Sequence, residues 1–377
     1  MKVRLGDYIN EYSVKNKADE DIPVYSVTNT QGFCRDYFGK EVASKDKTTY
    51  KIVPKGCFAY NPSRINVGSV DWQRTEDKVI VSPLYNVFCV SDEINKQYLY
   101  YYLKSDITLQ RIKTVATGSV RDNLKLDMLS EFPIELPDKK EQSLIVDILD
   151  KTKQVIALRK KELDALDNLI KARFVEMFGD PIKNPKGWKV ATIGDVVTEA
   201  RYGTSKPAVE GGKYPYIRMN NITSDGHLDL NDLKYIDIPD DEIEKCVVRK
   251  GDVLFNRTNS VELVGKTAFF DLPQDMVIAG YIIRLRLSEK MLPEVLVQYM
   301  NLEALKKILR SMAKGAVNQA NINAQELQSI KLYIPDMDLQ KQFIEMKGQI
   351  DKSKVKIQKS LDETQCLLDS LMQKYFG

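Results

Sequence analysis

The 377-residue chain contains a single histidine, His227. One histidine excludes a histidine-rich metal centre, and any catalytic triad that needs an imidazole would have to be built on His227. His227 lies in the sequence Ser-Asp-Gly-His-Leu-Asp, whose turn-forming residues indicate a surface loop. The sequence thus predicts neither a histidine-based metal site nor a nucleophile that depends on histidine.

Long hydrophobic runs and a strong net charge are also missing. The first 30 residues lack the apolar core of a signal peptide, and no later run approaches a membrane span. The net charge of +3 excludes a bulk attraction to nucleic acid, so any basic surface must arise from local clustering. The five cysteines show no close pairing along the chain. We therefore expect a reduced, cytoplasmic protein, not bound to a membrane, whose cysteines act as small apolar residues.

A recognisable active site is absent as well. Gly265-Lys266-Thr267 is similar to the end of a phosphate-binding loop, but Ser260 stands where the first glycine is required. Pro335-Asp336 with Glu345-Met346-Lys347 superficially resembles a nuclease site, yet both parts fall at the start of a heptad helix. Asn61-Pro62-Ser63-Arg64 departs from the Asn-Pro-Pro-aromatic pattern of amino-methyltransferases. We therefore predict no catalytic residue, no cofactor and no metal on this chain.

The chain does contain a long internal repeat. Asp138–Gly179 aligns without a gap on Asp336–Gly377. Shorter matches pair Lys2–Asp7 with Lys189–Asp195, and Lys55–Asn61 with Lys250–Asn256. The two copies of the tail lie 198 residues apart in the sequence. This period is far longer than the roughly 50 residues of a solenoid unit. It therefore predicts two homologous domains, each followed by a long helix.

The composition of each half predicts an α+β domain. Short apolar or alternating runs, bounded by Gly and Pro, indicate strands. Lys96–Val115 and Pro293–Ala313 are predicted to be helical. The predicted segments are a first globular domain (1–137), a helical spacer (138–179), a linker (180–187), a second globular domain (188–335) and a second helical spacer (336–377).

The two repeated tails carry a heptad seam. Apolar residues such as Leu149 and Ile156 recur at alternating steps of four and three, but Arg159 and Lys354 interrupt the seam with charge. Pairing of the tails with each other would satisfy both seams, so we predict two long antiparallel coiled-coil helices with pseudo-twofold symmetry. A helix of forty residues spans about 60 Å, the length of roughly 17 base pairs of duplex DNA.

Polar loops recur at equivalent positions in the two halves, although the residues within them differ. Arginine suits guanine, and asparagine or glutamine suits adenine, at the base edges of the major groove. Two homologous DNA-recognition domains that bind different base sequences would show such a pattern. The candidate DNA-binding residues are Asn61, Arg64, Arg121, Asn123, Arg201, Tyr202, Thr204, Lys206, Arg218, Asn220, Asn256, Arg257, Asn318, Gln319 and Asn321.

Together with the duplication, several stretches resemble the specificity subunits of type I restriction–modification enzymes. They are Tyr60–Ser69, Gly203–Pro207, Tyr214–Arg218 and the junction Phe178–Trp188. The resemblance covers the whole chain, as two target-recognition domains alternating with two helical spacers. The N-terminus departs slightly, because it begins at Lys2-Val3 without an equivalent of Trp188.

The resemblance implies a non-catalytic subunit of a larger complex. Each recognition domain would read one half of a split double-stranded DNA target, and the helices would set the spacer. Two modification subunits would bind S-adenosylmethionine and methylate adenine, and restriction subunits would use ATP and Mg²⁺. The alternative is a coiled-coil protein-interaction scaffold without sequence-specific DNA binding, which would lack the steep salt dependence of DNA affinity.

Overall fold

The computed structural model describes residues 2–35, 46–116, 123–316 and 319–377. The chain divides into two units: Met1–Lys161 with Gln358–Gly377, and Glu162–Ile357. Each unit therefore holds one globular domain together with a segment of both long helices. Within the described ranges, no helix has the length and hydropathy that crossing a membrane requires.

The first unit begins with short strands that turn-forming residues separate, and helices follow them. The strands are β1 (Lys2–Arg4), β2 (Ile9–Glu11), β3 (Ser26–Thr28), β4 (Gly32–Cys34), β5 (Lys51–Pro54), β6 (Phe58–Tyr60), β7 (Val70–Trp72), β8 (Lys78–Val81), β9 (Asn86–Val90) and β10 (Pro133–Glu135). The helices are α1 (Lys96–Leu103), α2 (Asp106–Val115), α3 (Leu126–Ser130) and α4 (Lys139–Phe178), of which α4 continues into the second unit.

The central sheet of the first unit is antiparallel and has the strand order β2-β9-β6-β7. Phe58 and Phe88 face each other across β6 and β9, are completely buried, and stack with their ring centroids 5.1 Å apart. The Tyr60 hydroxyl donates to the carbonyl of Leu124 at 3.1 Å and accepts from the Asn86 amide at 2.9 Å. Strands β6 and β9 are thus the inner pair of the sheet, held by both ring stacking and side-chain hydrogen bonds. Beside this sheet, β1 pairs with β10, β3 with β4, and β5 with β8.

The described residues of the second unit form more strands than those of the first. Its strands are β11 (Lys189–Thr192), β12 (Val197–Tyr202), β13 (Tyr214–Ile217), β14 (Lys234–Ile236), β15 (Val247–Val248), β16 (Val253–Asn256), β17 (Thr258–Asn259), β18 (Thr267–Phe269), β19 (Met276–Ile278), β20 (Ile282–Leu287), β21 (Lys314–Ala316), β22 (Gln319–Asn321) and β23 (Lys331–Ile334). The helices are α5 (Ile193–Val196), α6 (Ile243–Cys246), α7 (Pro293–Met300), α8 (Glu303–Met312), α9 (Ala324–Gln328) and α10 (Met337–Phe376), which continues into the first unit.

The second unit repeats the framework of the first. Its sheet β12-β20-β16-β18 has the same strand order as β2-β9-β6-β7, and the pair β11-β23 corresponds to β1-β10. Helices α7, α8 and α9 follow in the places of α1, α2 and α3. The second unit also contains the sheets β14-β13-β19-β15 and β17-β22-β21. The predicted fold class, α+β with two homologous domains and two long helices, is confirmed.

Helices α4 and α10 are each 40 residues long. In the second unit, Lys354 of α10 forms an ion pair with Asp167 of α4, and Phe343 packs on Phe174 with ring centroids 5.2 Å apart. The order of these contacts makes the two segments antiparallel there. In the first unit, Arg159 of α4 donates to the Ser360 hydroxyl of α10. The charges that interrupt the heptad seam thus find partners across it.

A buried glutamine anchors the start of α4. Gln142 is only 1% exposed, and its side-chain oxygen accepts from the backbone N–H of Asn95 at 2.7 Å. Its amide nitrogen donates to the carbonyls of Glu93 at 3.0 Å and Pro137 at 2.9 Å. Because Asn95 is the N-cap of α1, one side chain joins the beginning of α4 to the beginning of α1.

The second unit contains the same anchor at the matching position of the repeat. Gln340 is completely buried, and its oxygen accepts from the N–H of Leu292, the N-cap of α7, at 2.9 Å. Its nitrogen donates to the carbonyls of Lys290 at 3.1 Å and Pro335 at 2.9 Å. The repeat therefore preserves a hydrogen-bond network as well as an apolar pattern.

The helices predicted over Lys96–Val115 and Pro293–Ala313 are each divided in two. Helix α1 ends at Leu103, and the Ser105 hydroxyl then accepts from the Thr108 N–H at 3.4 Å as the N-cap of α2. A serine that caps a new helix competes with continuation of the old one. In the second unit the break falls at Asn301, between α7 and α8.

The expectation that the cysteines are unpaired is wrong for two of them. Cys57 and Cys89 form a disulfide, with their Cα atoms 4.3 Å apart. They are separated by 32 positions in sequence, and only the pairing of β6 with β9 brings them together. Spacing along the chain therefore gave no indication of the bond. Cys34, Cys246 and Cys366 are free.

We expect Gln340→Ala to lower the free energy of unfolding by about 2–3 kcal/mol, because it leaves a buried backbone N–H and two carbonyls without partners. Guanidinium unfolding at fixed pH measures this change. The matched control is Gln365→Ala on the same helix, whose exposed side chain donates to Asp369 at 3.0 Å. The control should stay within about 0.5 kcal/mol of the parent chain, and equal effects of the two substitutions would contradict the anchoring role.

Candidate nucleic-acid interface

In the first unit, two polar segments meet beside the central sheet. The loop after β6 carries Asn61 and Arg64, and the β3–β4 hairpin supplies Ser26–Asn29. With Tyr85 they line a small cavity of about 50 Å³. We call these residues the first-unit cluster. The structure thus brings together two polar segments that lie more than thirty positions apart in the sequence.

The two candidate residues of this cluster differ in what holds them. Asn61 is half-buried, and its side-chain oxygen accepts from the N–H and the hydroxyl of Ser63 at 3.1 and 2.9 Å. This arrangement shapes the turn that presents Arg64. Arg64 is exposed and forms no ion pair with any residue in the described ranges. Its guanidinium is therefore available to a base edge or a phosphate.

In the second unit, β12, β16 and β22 carry the candidates Tyr202, Asn256 and Asn321 to neighbouring positions. Strand β17 pairs with β22, with Thr258 opposite Asn321, and the Thr258 hydroxyl donates to the Asn321 side-chain oxygen at 2.8 Å. The Tyr202 hydroxyl accepts from the Ala324 N–H at 2.8 Å. Three loops singled out in the sequence therefore converge. We call Tyr202, Asn256–Asn259 and Asn321 the second-unit cluster.

Asn256 lies inside this cluster and not on its surface. Its side chain is completely buried and donates to the carbonyls of Thr258 and Tyr281, each at 3.2 Å. Its oxygen accepts from the Asn259 amide at 2.9 Å. All of this bonding capacity is directed at the loop itself. The geometry therefore favours a supporting role for Asn256, beneath the residues that face outwards.

Arg257 is held over an aromatic ring. Its guanidinium carbon lies 4.9 Å from the centroid of the Tyr202 ring. The backbone on either side is fixed, because the Arg257 N–H donates to the Tyr281 carbonyl and its carbonyl accepts from Ile322, both at 2.9 Å. Its Nε is buried and has no partner within the described part of the chain. A planar guanidinium stacked on an aromatic ring suits bidentate recognition of a base or phosphate.

A carboxylate controls the orientation of Arg201. Glu199 accepts from Arg201 Nε at 2.6 Å and from the buried Arg284 at 2.7 Å. Burial opposes ionisation of Glu199, but the Arg201 hydrogen bond and the charges of Arg284 and Arg286 prevail and lower its pKa. Glu199 therefore stays charged and steers Arg201, which remains half-exposed.

Thr204 and Lys206 lie against the second sheet of this unit. The Tyr216 hydroxyl of β13 donates to the carbonyls of both residues at 3.2 Å. Lys206 forms an ion pair with Glu242 at 2.8 Å, and this contact lowers the pKa of Glu242. The Lys206 charge is thus already partly neutralised within the domain.

Arg218 and Asn220 follow β13. Arg218 donates to the Asp232 carboxylate at 2.8 Å, and this hydrogen bond lowers the pKa of Asp232. Asn220 is exposed in the short turn Met219–Asn221. The structure places these two candidates at the end of β13, whereas Tyr202, Arg257 and Asn321 gather around β17 and β22.

Some candidates have no described side chain. Arg121 and Asn318 lie outside the described residues, and for Gln319 only the backbone, in β22, is described. Asn123 is exposed. For every candidate, contact with DNA stays a prediction.

The sequence did not single out two supporting residues of this unit: Glu199, which holds Arg201, and Tyr281, which supports the second-unit cluster. Tyr281 is 51% exposed, and its carbonyl accepts from both Asn256 and the Arg257 backbone. An aromatic residue between Gly280 and the apolar run Ile282–Leu287 was the available sign. Nothing in the local pattern marked Glu199, whose partner Arg284 is 85 positions away.

The duplicated framework, with a polar loop after the same strand in each unit, defines a protein of two homologous domains on long paired helices. The family of type I restriction modification DNA specificity domains matches residues 2–168 and 185–364. The chain belongs to this family, whose members are specificity subunits and not catalysts. Its two copies of the domain fit recognition of a bipartite DNA target.

Known relatives agree with this assignment. The chain is 21% identical over 398 residues to the type I restriction enzyme EcoKI specificity subunit of Escherichia coli K12, covering 99% of this chain and 86% of that protein. It is 30% identical over 196 residues to a putative type I restriction enzyme MjaX specificity subunit of Methanocaldococcus jannaschii, covering 51% and 46%. A chain from a solved type I R-M system superposes with a TM-score of 0.65 at 18% identity, covering 100% and 97%, which shows a shared fold.

Two adjacent substitutions should separate support from contact in the second-unit cluster. Asn256→Ala should lower the free energy of unfolding by about 1–3 kcal/mol, because it leaves buried groups unpaired. Arg257→Ala should change stability by less than about 1 kcal/mol and weaken DNA binding by about 1–3 kcal/mol. Denaturant unfolding and a DNA titration at one salt concentration measure the two effects. Loss of DNA binding without loss of stability in Asn256→Ala would refute its supporting role.

Proposed function

We propose that the chain reads a bipartite double-stranded DNA target, with one half-site for each unit and a spacer set by α4 and α10. The observation that carries the proposal is the position of the reading loops. Equivalent strands, β6 and β16, lead into Asn61–Arg64 and Asn256–Asn259. The two units share this framework, but the residues of the two loops differ. Two domains that recognise different half-sites require such a difference.

The proposal extends to the partners. Two modification subunits that bind S-adenosylmethionine and methylate adenine would assemble with this chain, and restriction subunits that use ATP and Mg²⁺ would complete the nuclease. The duplication supports a pair of modification subunits, because two homologous units offer two similar surfaces. The chain itself contributes sequence recognition and no catalytic group.

The direct test is single-molecule methylome sequencing of cells that express the modification subunit with and without this chain. Adenine methylation at a split motif, lost when the chain is omitted, would establish the function and reveal both half-sites. A confirmed complex without a methylated motif would favour the protein-interaction scaffold. DNA affinity that falls steeply with salt would favour the proposed DNA recognition over the scaffold, because counterions are released from each neutralised phosphate.

A matched pair of arginine substitutions tests the assignment of half-sites. Arg64→Ala should weaken discrimination at one half-site only, and Arg201→Ala at the other only, each by about 1–3 kcal/mol. Each variant serves as the control for the other, because both remove one exposed guanidinium. Binding to duplexes with one altered half-site provides the measurement. If either variant degraded both half-sites equally, the modular assignment would be wrong.

A second prediction concerns the spacer. Insertion of one heptad at equivalent positions of α4 and α10 adds about 10.5 Å to each helix. We therefore expect the preferred spacer to lengthen by about 3 base pairs, given about 3.4 Å per base pair. Insertion into α4 alone is the control, because it breaks the pairing of the seams. The methylated motif reports the spacer, and an unchanged spacer after the double insertion would refute the role of the helices.

A further inference from the structure

The disulfide of the first unit has an ionic counterpart in the second. Strands β6 and β9 pair with Phe58 opposite Phe88, so one further step of the register places Cys57 opposite Cys89. Strands β16 and β20 pair with Val253 opposite Leu285, so the same step places Asp252 opposite Arg286. Arg286 Nε donates to the Asp252 carboxylate at 3.1 Å. Both units therefore join the same two strands by a side-chain bond at the same position.

The backbone around the two bonds is also the same. The Cys57 N–H donates to the Pro54 carbonyl at 3.1 Å, and the Asp252 N–H donates to the Arg249 carbonyl at 3.0 Å. The carbonyls of Cys57 and Asp252 each accept at 2.9 Å, from a residue that follows the neighbouring strand β7 or β18. The position is therefore a repeated brace between the two inner strands, and only its chemistry differs.

Burial is matched as well. Cys57 is 7% exposed and Asp252 is 4% exposed, whereas Cys89 and Arg286 are half-buried. Cys89 is therefore the more exposed of the two bonded cysteines. The surroundings of the cysteine pair are apolar, since Val53, Val79 and Val87 belong to the same cluster. Free thiols are tolerated in such surroundings as small apolar groups, so the unit can stay folded after reduction.

The braced strands carry the reading loops. Strand β6 runs from the disulfide directly into Asn61–Arg64, and β16 runs from the ion pair into Asn256–Asn259. The four steps from Cys57 to Asn61 span only about 13 Å at about 3.3 Å per residue. A change in the pairing at Cys57, just before β6, is therefore transmitted to the loop that follows β6.

We propose that the Cys57–Cys89 disulfide is a redox-controlled brace that positions the Asn61–Arg64 loop, so that a thiol reductant weakens recognition by the first unit alone. The proposal rests on the proposed function, one half-site for each unit. The ionic brace of the second unit does not respond to thiols. The two readers of one chain would therefore differ in their sensitivity to the redox state.

The chemistry is thiol–disulfide exchange with a low-molecular-weight thiol as the reductant. Its thiolate attacks Sγ of Cys89, and the Cys89–Cys57 bond breaks as the mixed disulfide forms. Sγ of Cys57 leaves as a thiolate and takes up a proton. A second reductant thiolate resolves the mixed disulfide, which frees the Cys89 thiol and oxidises the reductant to its own disulfide. Two electrons and two protons are thereby transferred to the pair.

The experiment uses the complex of this chain with its modification subunits and duplexes in which one half-site at a time is scrambled. With dithiothreitol, we expect the preference for an intact first half-site to fall about fivefold or more, the scale of one lost base contact. The preference for the second half-site should stay unchanged. Cys89→Ser should behave like the reduced parent chain and should not respond further to dithiothreitol.

Two further experiments complete the test: a direct count of free thiols, and a variant with a disulfide in place of the ion pair of the second unit. Alkylation in denaturant, which also exposes the buried Cys246, followed by mass spectrometry should find three free thiols on the chain before reduction and five after it. Asp252→Cys combined with Arg286→Cys should make the second half-site sensitive to dithiothreitol. Five thiols before reduction, equal responses of both half-sites, or no response of the first would overturn the proposal. If scrambling had no effect even before reduction, the assignment of one half-site per unit would fail first, and the redox brace with it.

Discussion

The hydrogen bonds of one buried glutamine in each unit support the rest of that unit. Gln142 and Gln340 use both ends of their amides to hold the first turn of a long helix against the first turn of α1 or α7. A buried amide must be satisfied, or the folded state loses about 1–3 kcal/mol for each group left unpaired. The hydrogen bonds of the glutamine therefore set the direction in which each long helix leaves its domain. The apolar seam pairs the helices beyond their first turns.

The two units preserve different features to different degrees. Strand order, the terminal strand pair and the glutamine anchor are the same in both. The loops after β6 and β16 differ in length, residue type and support. This contrast follows from packing, because a buried position must fit all of its neighbours at once. A loop on the surface meets fewer such constraints and can acquire new side chains while the framework stays unchanged.

The sequence was sufficient for features that depend on long periodic patterns. The duplication, α4 and α10, and the paired seam follow from tens of residues that agree with one another. Features that depend on register between distant strands were not predictable. The burial of Asn256 and the meeting of Cys57 with Cys89 both require knowledge of which short strands pair. The break at Ser105 was missed because a local cap competed with a continuous helical pattern.

The first unit is completed by Gln358–Gly377, and among these residues Phe376 packs on Tyr98 with ring centroids 5.1 Å apart. During synthesis, the ribosome makes all of Glu162–Ile357 before it makes that segment. At about 5–20 residues per second, this delay lasts roughly 10–40 s. The first domain to emerge is therefore the last to be finished. Until then its aromatic surface stays open, and a chaperone or a neighbouring nascent chain can reach it.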